Sequence, residues 1–177
     1  MTKCMECENE MLRYIKPEHT EDLGGVVVCI RNAVLVERCK TCGEEESTIP
    51  DLRGLVCAAA LARALNPIRL SGKEIKFIRR ALGMTQKEFA NKVDVAIETI
   101  SRWENDAQGC GGFTEKTLRH NVCALLHEHA PAIDYEPVTI TNMKFVERRE
   151  IEPLQLQRMR VKTQTLRIDA WDYPEAA

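Results

Sequence analysis

Four of the eight cysteines form two pairs with the same spacing, Cys4-x-x-Cys7 and Cys39-x-x-Cys42. A gap of two residues lets both sulfurs of a turn point at one metal ion, and two such turns supply the four thiolates of a tetrahedral zinc site. Four thiolates complete the tetrahedron, so we predict one structural Zn²⁺ per chain with no open position for catalysis. The alternatives are a chance occurrence of each pair and a redox dithiol. A redox dithiol usually opens a helix in a thioredoxin-like unit, and the sequence shows no such unit.

The residues between the two cysteine pairs predict a sheet. Thirty-one residues separate Cys7 from Cys39, which is more than a compact zinc finger contains. Two segments rich in Val and Ile, residues 11–16 and 25–38, predict strands. Turns are expected at Gly24-Gly25 and at Arg31-Asn32. The four remaining cysteines have no matching spacing and are expected to be packed core thiols: Cys29, Cys57, Cys110 and Cys123.

The middle of the chain predicts a bundle of short helices. Ser71-Gly-Lys-Glu74 and Thr85-Gln-Lys-Glu88 are capping boxes, and each predicts the start of a helix. A tight turn at Asp94-Val95 leads into a third helix from about residue 96 to 105. A fourth helix is expected over about residues 114–128. Two short helices joined by a tight turn behind a supporting helix describe a helix-turn-helix.

Two segments of this bundle, Met84–Ala90 and Thr99–Glu104, resemble the helix-turn-helix of the phage-repressor (Xre/Cro) family. A zinc domain with two Cys-x-x-Cys pairs ahead of that module resembles the MqsA-type antitoxins, and the resemblance covers roughly residues 1–130. It implies that the third helix enters the major groove of DNA. In that family an Asn in the first turn of this helix and an Arg four residues later read bases. Arg102 matches the Arg, whereas Glu98 stands where the Asn is expected.

Five residues are candidates for DNA contact. Arg102 can pair with guanine through two hydrogen bonds, a contact worth about 1–3 kcal/mol of discrimination, and Glu98 can accept from the amino group of cytosine. Gln86, at the start of the second helix, can reach a phosphate or a base. Thr99 can contact a phosphate or a thymine methyl group. Ala96 stands where a capping Ser or Thr is common.

The chain is predicted to have three parts and an α+β fold. Residues 1–66 form a small β-rich zinc domain with a trailing helix over about 51–65, and Asn66-Pro67 ends that helix. Residues 67–131 form the all-α helix-turn-helix bundle. Residues 132–177 form a short β-rich extension, with one strand expected over 138–146 and another over 154–168. This extension is either a β-hairpin or an arm that reaches DNA or a partner, and the sequence leaves both open.

Charge and hydropathy favour a cytoplasmic protein. The net charge of the chain is −2, and the middle part, residues 67–133, is the only one with a basic excess, 10 basic against 8 acidic side chains. The longest apolar run is eight residues, far short of the roughly 20 that a membrane span needs. The N-terminus has no apolar region typical of a signal peptide. We therefore expect no membrane association.

The resemblance implies a function in a type II toxin–antitoxin system. The zinc domain would bind a cognate toxin, while the helix-turn-helix represses the operon by binding a palindromic operator as a homodimer. The alternative is a stand-alone regulator of phage or mobile-element type with a structural zinc domain. We expect no enzymatic activity, because no His-x-Glu with a ligand set, paired carboxylate motif or Gly-rich phosphate loop occurs.

Overall fold

The computed structural model of the chain describes residues 3–147, 152–162 and 167–174. The predicted α+β class is confirmed, with strands at both ends of the chain and helices between them. The elements in chain order are β1 (Met11–Asp22), β2 (Val27–Cys39), β3 (Glu45–Thr48), α1 (Leu52–Leu65), α2 (Gly72–Ala81), α3 (Gln86–Lys92), α4 (Ile97–Glu104), α5 (Gly112–His127), α6 (Pro137–Asn142), β4 (Leu154–Lys162) and β5 (Arg167–Asp172).

The two long strands β1 and β2 form an antiparallel hairpin. Their turn contains Gly24 and Gly25, both with positive φ, as the sequence predicts. The prediction of a second turn at residues 31–32 is wrong, because β2 runs through these residues without a break. Asn32 has a φ of 50° and lies opposite the shift in register between Lys16 and Glu18. The polar residues that suggested a turn therefore form an irregularity within a long strand.

The C-terminal strands return to the N-terminal hairpin. β4 pairs in parallel with residues 28–31 of β2, and β5 pairs with β4 in antiparallel fashion. The short strand β3 pairs with residues 35–38 at the same edge of β2. Residues 163–166, within the second predicted strand, lie outside the described residues. The strands of the extension thus complete a sheet that begins near residue 11.

The strand expected over residues 138–146 is wrong, since residues 137–142 form the short helix α6. Pro137 occupies the first turn of this helix, where its missing N–H is no loss. Ile140 is fully buried, whereas Val138 is 52% exposed. β-branched residues favour a strand only where they pack on a half-buried sheet surface, so their presence in this segment does not by itself produce one. In the described parts of the chain, no helix is both long enough and apolar enough to span a membrane.

Helix α1 lies between the sheet and the other helices. It begins after Asp51, whose side chain accepts from the backbone N–H of Gly54 at 3.0 Å. Residues 57–65 are buried around the whole helix, because α1 contacts β4 and β5 as well as α2 and α5. Alanines dominate this segment, and their small side chains let both layers approach closely. The apolar core therefore continues from the sheet into the helical part of the chain.

Two buried ion pairs hold the segment that joins α1 to α2. Arg63 lies 2.6 Å from Glu74, and Arg119 lies 2.7 Å from Glu115. Both arginines also donate to backbone carbonyls of residues 64–69. These bonds satisfy carbonyl groups that the proline-containing segment cannot pair within a helix. The division of the chain at residues 66 and 131 stays a prediction.

We expect Trp171→Ala to destabilise the protein by about 3–5 kcal/mol, because a large buried aromatic side chain is lost from between β5 and α1. Trp171 is 1% exposed, and its indole N–H donates to the carbonyl of Asp51 at 3.2 Å. Urea unfolding of both variants measures the effect, with Val138→Ala at an exposed position of α6 as the control. Equal stability of the two variants would show that the C-terminal strands do not pack on α1.

Candidate metal centre and nucleic-acid interface

The structure brings the four paired cysteines into one cluster. The sulfur atoms of Cys4, Cys7, Cys39 and Cys42 all lie within 4.8 Å of one another. The shortest separations are 3.4 Å between Cys7 and Cys39 and 3.5 Å from Cys42 to both Cys4 and Cys7. A tetrahedral ion with metal–sulfur bonds of about 2.3 Å requires sulfurs roughly 3.8 Å apart. The donor set and its spacing therefore fit one zinc ion.

Two turns of the same shape present the cysteines. In the first turn the backbone N–H of Glu8 donates to the carbonyl of Cys4 at 2.9 Å, and in the second that of Gly43 donates to Cys39 at 3.1 Å. Glu8 and Gly43 both have left-handed backbone conformations, with φ of 58° and 79°. The residue that follows the second cysteine thus reverses the chain in both turns. Sequence reasoning missed these two residues, although a glycine directly after Cys42 was an available signal.

The protonation of the cluster favours a bound cation. Backbone N–H groups of Cys42 and Thr41 lower the pKa of Cys39 to about 6. The backbone N–H of Glu44 acts in the same direction on Cys42, but the three neighbouring thiols raise the pKa of Cys42 to about 12. Hydrogen bonds from Asn9 also lower the pKa of Cys7. The protein's own hydrogen bonds thus favour the thiolate form at two of the cysteines, whereas four adjacent thiolates need a positive ion among them. A divalent metal supplies that charge.

The helix-turn-helix consists of α3 and α4 behind the supporting helix α2. Both predicted capping boxes form, at Ser71 for α2 and at Thr85 for α3. Ala96 precedes α4 and provides no side-chain cap. Ile100 and Trp103 are buried and anchor the inner face of α4. The first turn of α4 is thus held by packing rather than by a cap.

A buried polar chain joins the three helices of this module. Arg79 on α2 forms an ion pair with Glu104 on α4 at 2.5 Å, and the amide of Gln86 on α3 donates to the same carboxylate at 2.9 Å. Burial alone would raise the pKa of Glu104, but hydrogen bonds from Arg79 and Gln86 hold it below its usual range. The charged carboxylate therefore fixes the orientation of α4 relative to α2 and α3.

The five candidate DNA-contacting residues do not all lie on one open face. Glu98 and Arg102 are exposed on α4, Ala96 is exposed directly before it, and Thr99 is half-buried on the helix. Gln86 is half-buried at the start of α3. An amide carries two N–H donors, so one of them stays available beyond the bond from Gln86 to Glu104.

Sequence reasoning missed three residues that share the outer face of α4. Ile97 is 40% exposed, and half-buried Ser101 and the exposed C-cap residue Asn105 follow at intervals of four residues. They lie beside Glu98 and Arg102 on the helix surface, because positions three and four apart are neighbours. The helical period of the predicted third helix was sufficient to find them.

Comparison with known proteins identifies the module itself. A family model described as helix-turn-helix (HTH_3) matches residues 75–109, from α2 through the segment after α4. No curated protein and no solved structure matches the chain significantly. The chain therefore contains an Xre-type helix-turn-helix domain together with a four-cysteine cluster. The helix-turn-helix match supports a DNA-binding regulator of transcription, and the cysteine cluster is consistent with a zinc site.

We expect Cys39→Ser to remove most of the bound zinc, because the site loses one of its four thiolates. Elemental analysis of the purified protein should give one zinc per chain for the wild type and well under one for the variant. Cys29→Ser is the control, since Cys29 is a buried thiol of β2 outside the cluster. A full zinc content in Cys39→Ser would show that the ligand set is wrong.

The Arg79–Glu104 pair makes the free energy of unfolding depend on pH in the acidic range. Since the pKa of Glu104 is below its ordinary value of 4.5 in the folded state, the stabilisation is present above about pH 4.5 and is lost as the pH falls further. Thermal melting between pH 6 and pH 3.5 measures this loss. We expect a smaller loss in Glu104→Gln than in the wild type. The exposed control Glu128→Gln should follow the wild type, and identical acid dependence in all three would contradict this role of Glu104.

Proposed function

We propose that the protein is a transcriptional repressor that binds a palindromic operator through the exposed face of α4. The observation that carries this proposal is the Arg79–Glu104–Gln86 chain, which holds that face outward within the matched segment. In a helix-turn-helix the second helix enters the major groove and the first crosses the backbone. Here α4 is the helix that enters the major groove, and α3 is the helix that crosses the backbone.

Two side chains of α4 have the chemistry to read bases. Within the described residues, neither Arg102 nor Glu98 forms an ion pair, so both are available to DNA. Arg102 donates to the O6 and N7 atoms of guanine, and Glu98 accepts from the amino group of cytosine. Ala96 and Thr99 suit contact with a thymine methyl group. The free N–H of Gln86 suits a phosphate oxygen.

One helix-turn-helix module buries too little surface for tight binding. Modules of this kind act as two-fold dimers that place their recognition helices about 34 Å apart, one turn of DNA. We therefore propose a homodimer on a palindromic operator. Zinc held by Cys4, Cys7, Cys39 and Cys42 has a structural role in each chain. It fixes the segment before β1 against the end of β2 and leaves no coordination position for a substrate.

The finer function that we propose is that of an antitoxin. The order of a cysteine-rich sheet domain and an Xre-type module resembles MqsA-type antitoxins, in which the N-terminal domain binds the toxin. By this resemblance the cognate toxin contacts the β1–β3 region, while α4 represses the shared operon. A stand-alone regulator of phage or mobile-element type is the second candidate, because the helix-turn-helix match applies equally to it.

Co-expression with the neighbouring genes separates the two candidates. An antitoxin should co-purify with the product of a small adjacent reading frame and should relieve the growth arrest which that product causes. A tagged chain that purifies alone in the presence of every adjacent product would favour the stand-alone regulator.

We expect Arg102→Ala to weaken binding to the preferred operator by about 1–3 kcal/mol, because the guanine loses both hydrogen bonds. The operator is first obtained by selecting bound sequences from a random DNA pool, and fluorescence anisotropy then gives the affinity. Arg53→Ala, which removes an exposed arginine from α1, serves as the control and should bind as the wild type does. Unchanged sequence preference in Arg102→Ala would contradict the placement of α4 in the major groove.

A further inference from the structure

A groove with one basic wall lies between the β1–β2 turn and α2. Its volume is about 490 Å³. Lys73, Lys76 and Arg80 line one side, and Asp22, Gly24, Gly25 and Val27 line the other. The groove is separate from the exposed face of α4 and from the cysteine cluster. The groove lies between the two parts of the chain that the sequence predicts to be separate domains.

The turn is seated directly on the backbone of α2. A Cβ atom added at Gly25 would lie 3.0 Å from the carbonyl oxygen of Lys73 and 3.4 Å from the Cβ of Phe77. Any residue other than glycine would therefore push the turn away from the helix. The carboxylate of Asp22 accepts from the backbone N–H groups of Gly24 at 2.9 Å and Gly25 at 3.2 Å. The backbone of the turn is thus held in place on one side of the groove, and the backbone of α2 forms the other side.

Three cations project from one face of α2. Lys73, Lys76 and Arg80 are separated by three and four residues, which places them side by side along the helix. None of the three forms an ion pair with another side chain in the described parts of the sequence. Asp22 is the single carboxylate in the lining, and it already accepts two backbone hydrogen bonds. The groove therefore carries a net positive charge.

Helix α2, which carries the three cations of the groove, is fixed against the helix-turn-helix by buried contacts. Arg79, next to Arg80 on α2, reaches Glu104 at the end of α4, and Glu104 also accepts from Gln86 at the start of α3. These buried contacts hold α2, and the β1–β2 turn that is seated on it, in a fixed position relative to α3 and α4.

We propose that this groove binds the phosphate backbone of operator DNA beside the segment that α3 and α4 contact. The inference rests on the operator binding proposed above. Phosphate oxygens are the usual partners of Lys and Arg at DNA interfaces, and such contacts fix the register of a protein without reading sequence. The start of α3 faces the backbone in a helix-turn-helix, so a basic surface next to it meets the adjoining phosphates. The turn of the N-terminal hairpin thereby becomes part of the DNA interface.

The test compares two triple variants that remove the same charge. Lys73→Gln/Lys76→Gln/Arg80→Gln empties the groove of its cations. The matched control, Arg31→Gln/Arg53→Gln/Lys144→Gln, removes three exposed cations from other surfaces. A third variant, Lys73→Arg/Lys76→Arg/Arg80→Lys, keeps the charge of the groove. Circular dichroism and thermal melting confirm that each variant is folded.

The affinity for the selected operator and for unrelated DNA is measured over a range of salt concentrations. Each phosphate contact contributes about 0.9 to the slope of log affinity against log salt. We expect the slope of the groove variant to fall by roughly 2–3, with equal losses on operator and unrelated DNA. The matched control and the charge-keeping variant should retain the slope of the wild type. Trimming the base pairs that flank the operator should weaken the wild type and leave the groove variant unaffected.

Two results overturn the inference in distinguishable ways. If the wild type binds the operator and the groove variant has the same salt slope as the matched control, the groove does not contact DNA and operator binding still stands. If the wild type binds no DNA at low salt, the proposed operator binding fails and the inference fails with it.

Discussion

The buried guanidinium groups of Arg63 and Arg119 are the constraint on which the arrangement of the molecule depends. Each forms an ion pair with a glutamate, Glu74 or Glu115, and donates to carbonyls of the segment between α1 and α2. Loss of one partner would leave an uncompensated charge in the core, at a cost of about 3–5 kcal/mol. The pairs therefore fix the path of the chain where the sheet layer meets the helices.

The same constraint makes the sheet and the helix-turn-helix one packed body. α1 is buried between them, and its alanine-rich segment leaves little room for sliding. Arg79 and Glu104 extend the rigid connection from α2 to α4. The exposed face of α4 is therefore positioned by a continuous series of contacts that begins in the sheet. In the described residues, packed contacts rather than a flexible linker connect the sheet to α4.

Features set by short segments of sequence could be predicted, and those set by distant pairing could not. The capping boxes at Ser71 and Thr85 define helix starts within four residues, and the two cysteine spacings define metal-binding turns. The pairing of β4 with β2 joins residues more than a hundred positions apart, and no local pattern encodes it. Residues 137–142 were mispredicted because their β-branched side chains favour strands, whereas burial of Ile140 against the core favours α6. On α4, Ile97 was missed although the helical period indicated it.

The length of the β1–β2 hairpin keeps its two ends far enough apart for two partners to bind at once. The cysteine cluster lies at the open end of the hairpin, and the turn at Gly24–Gly25 lies at the other end. Strands of twelve and thirteen residues separate these ends by about 40 Å. A globular protein seated at the cysteine end would leave the opposite end uncovered. The β1–β2 hairpin therefore separates the two ends, and an assembly of this chain with both a protein and a DNA duplex is sterically feasible.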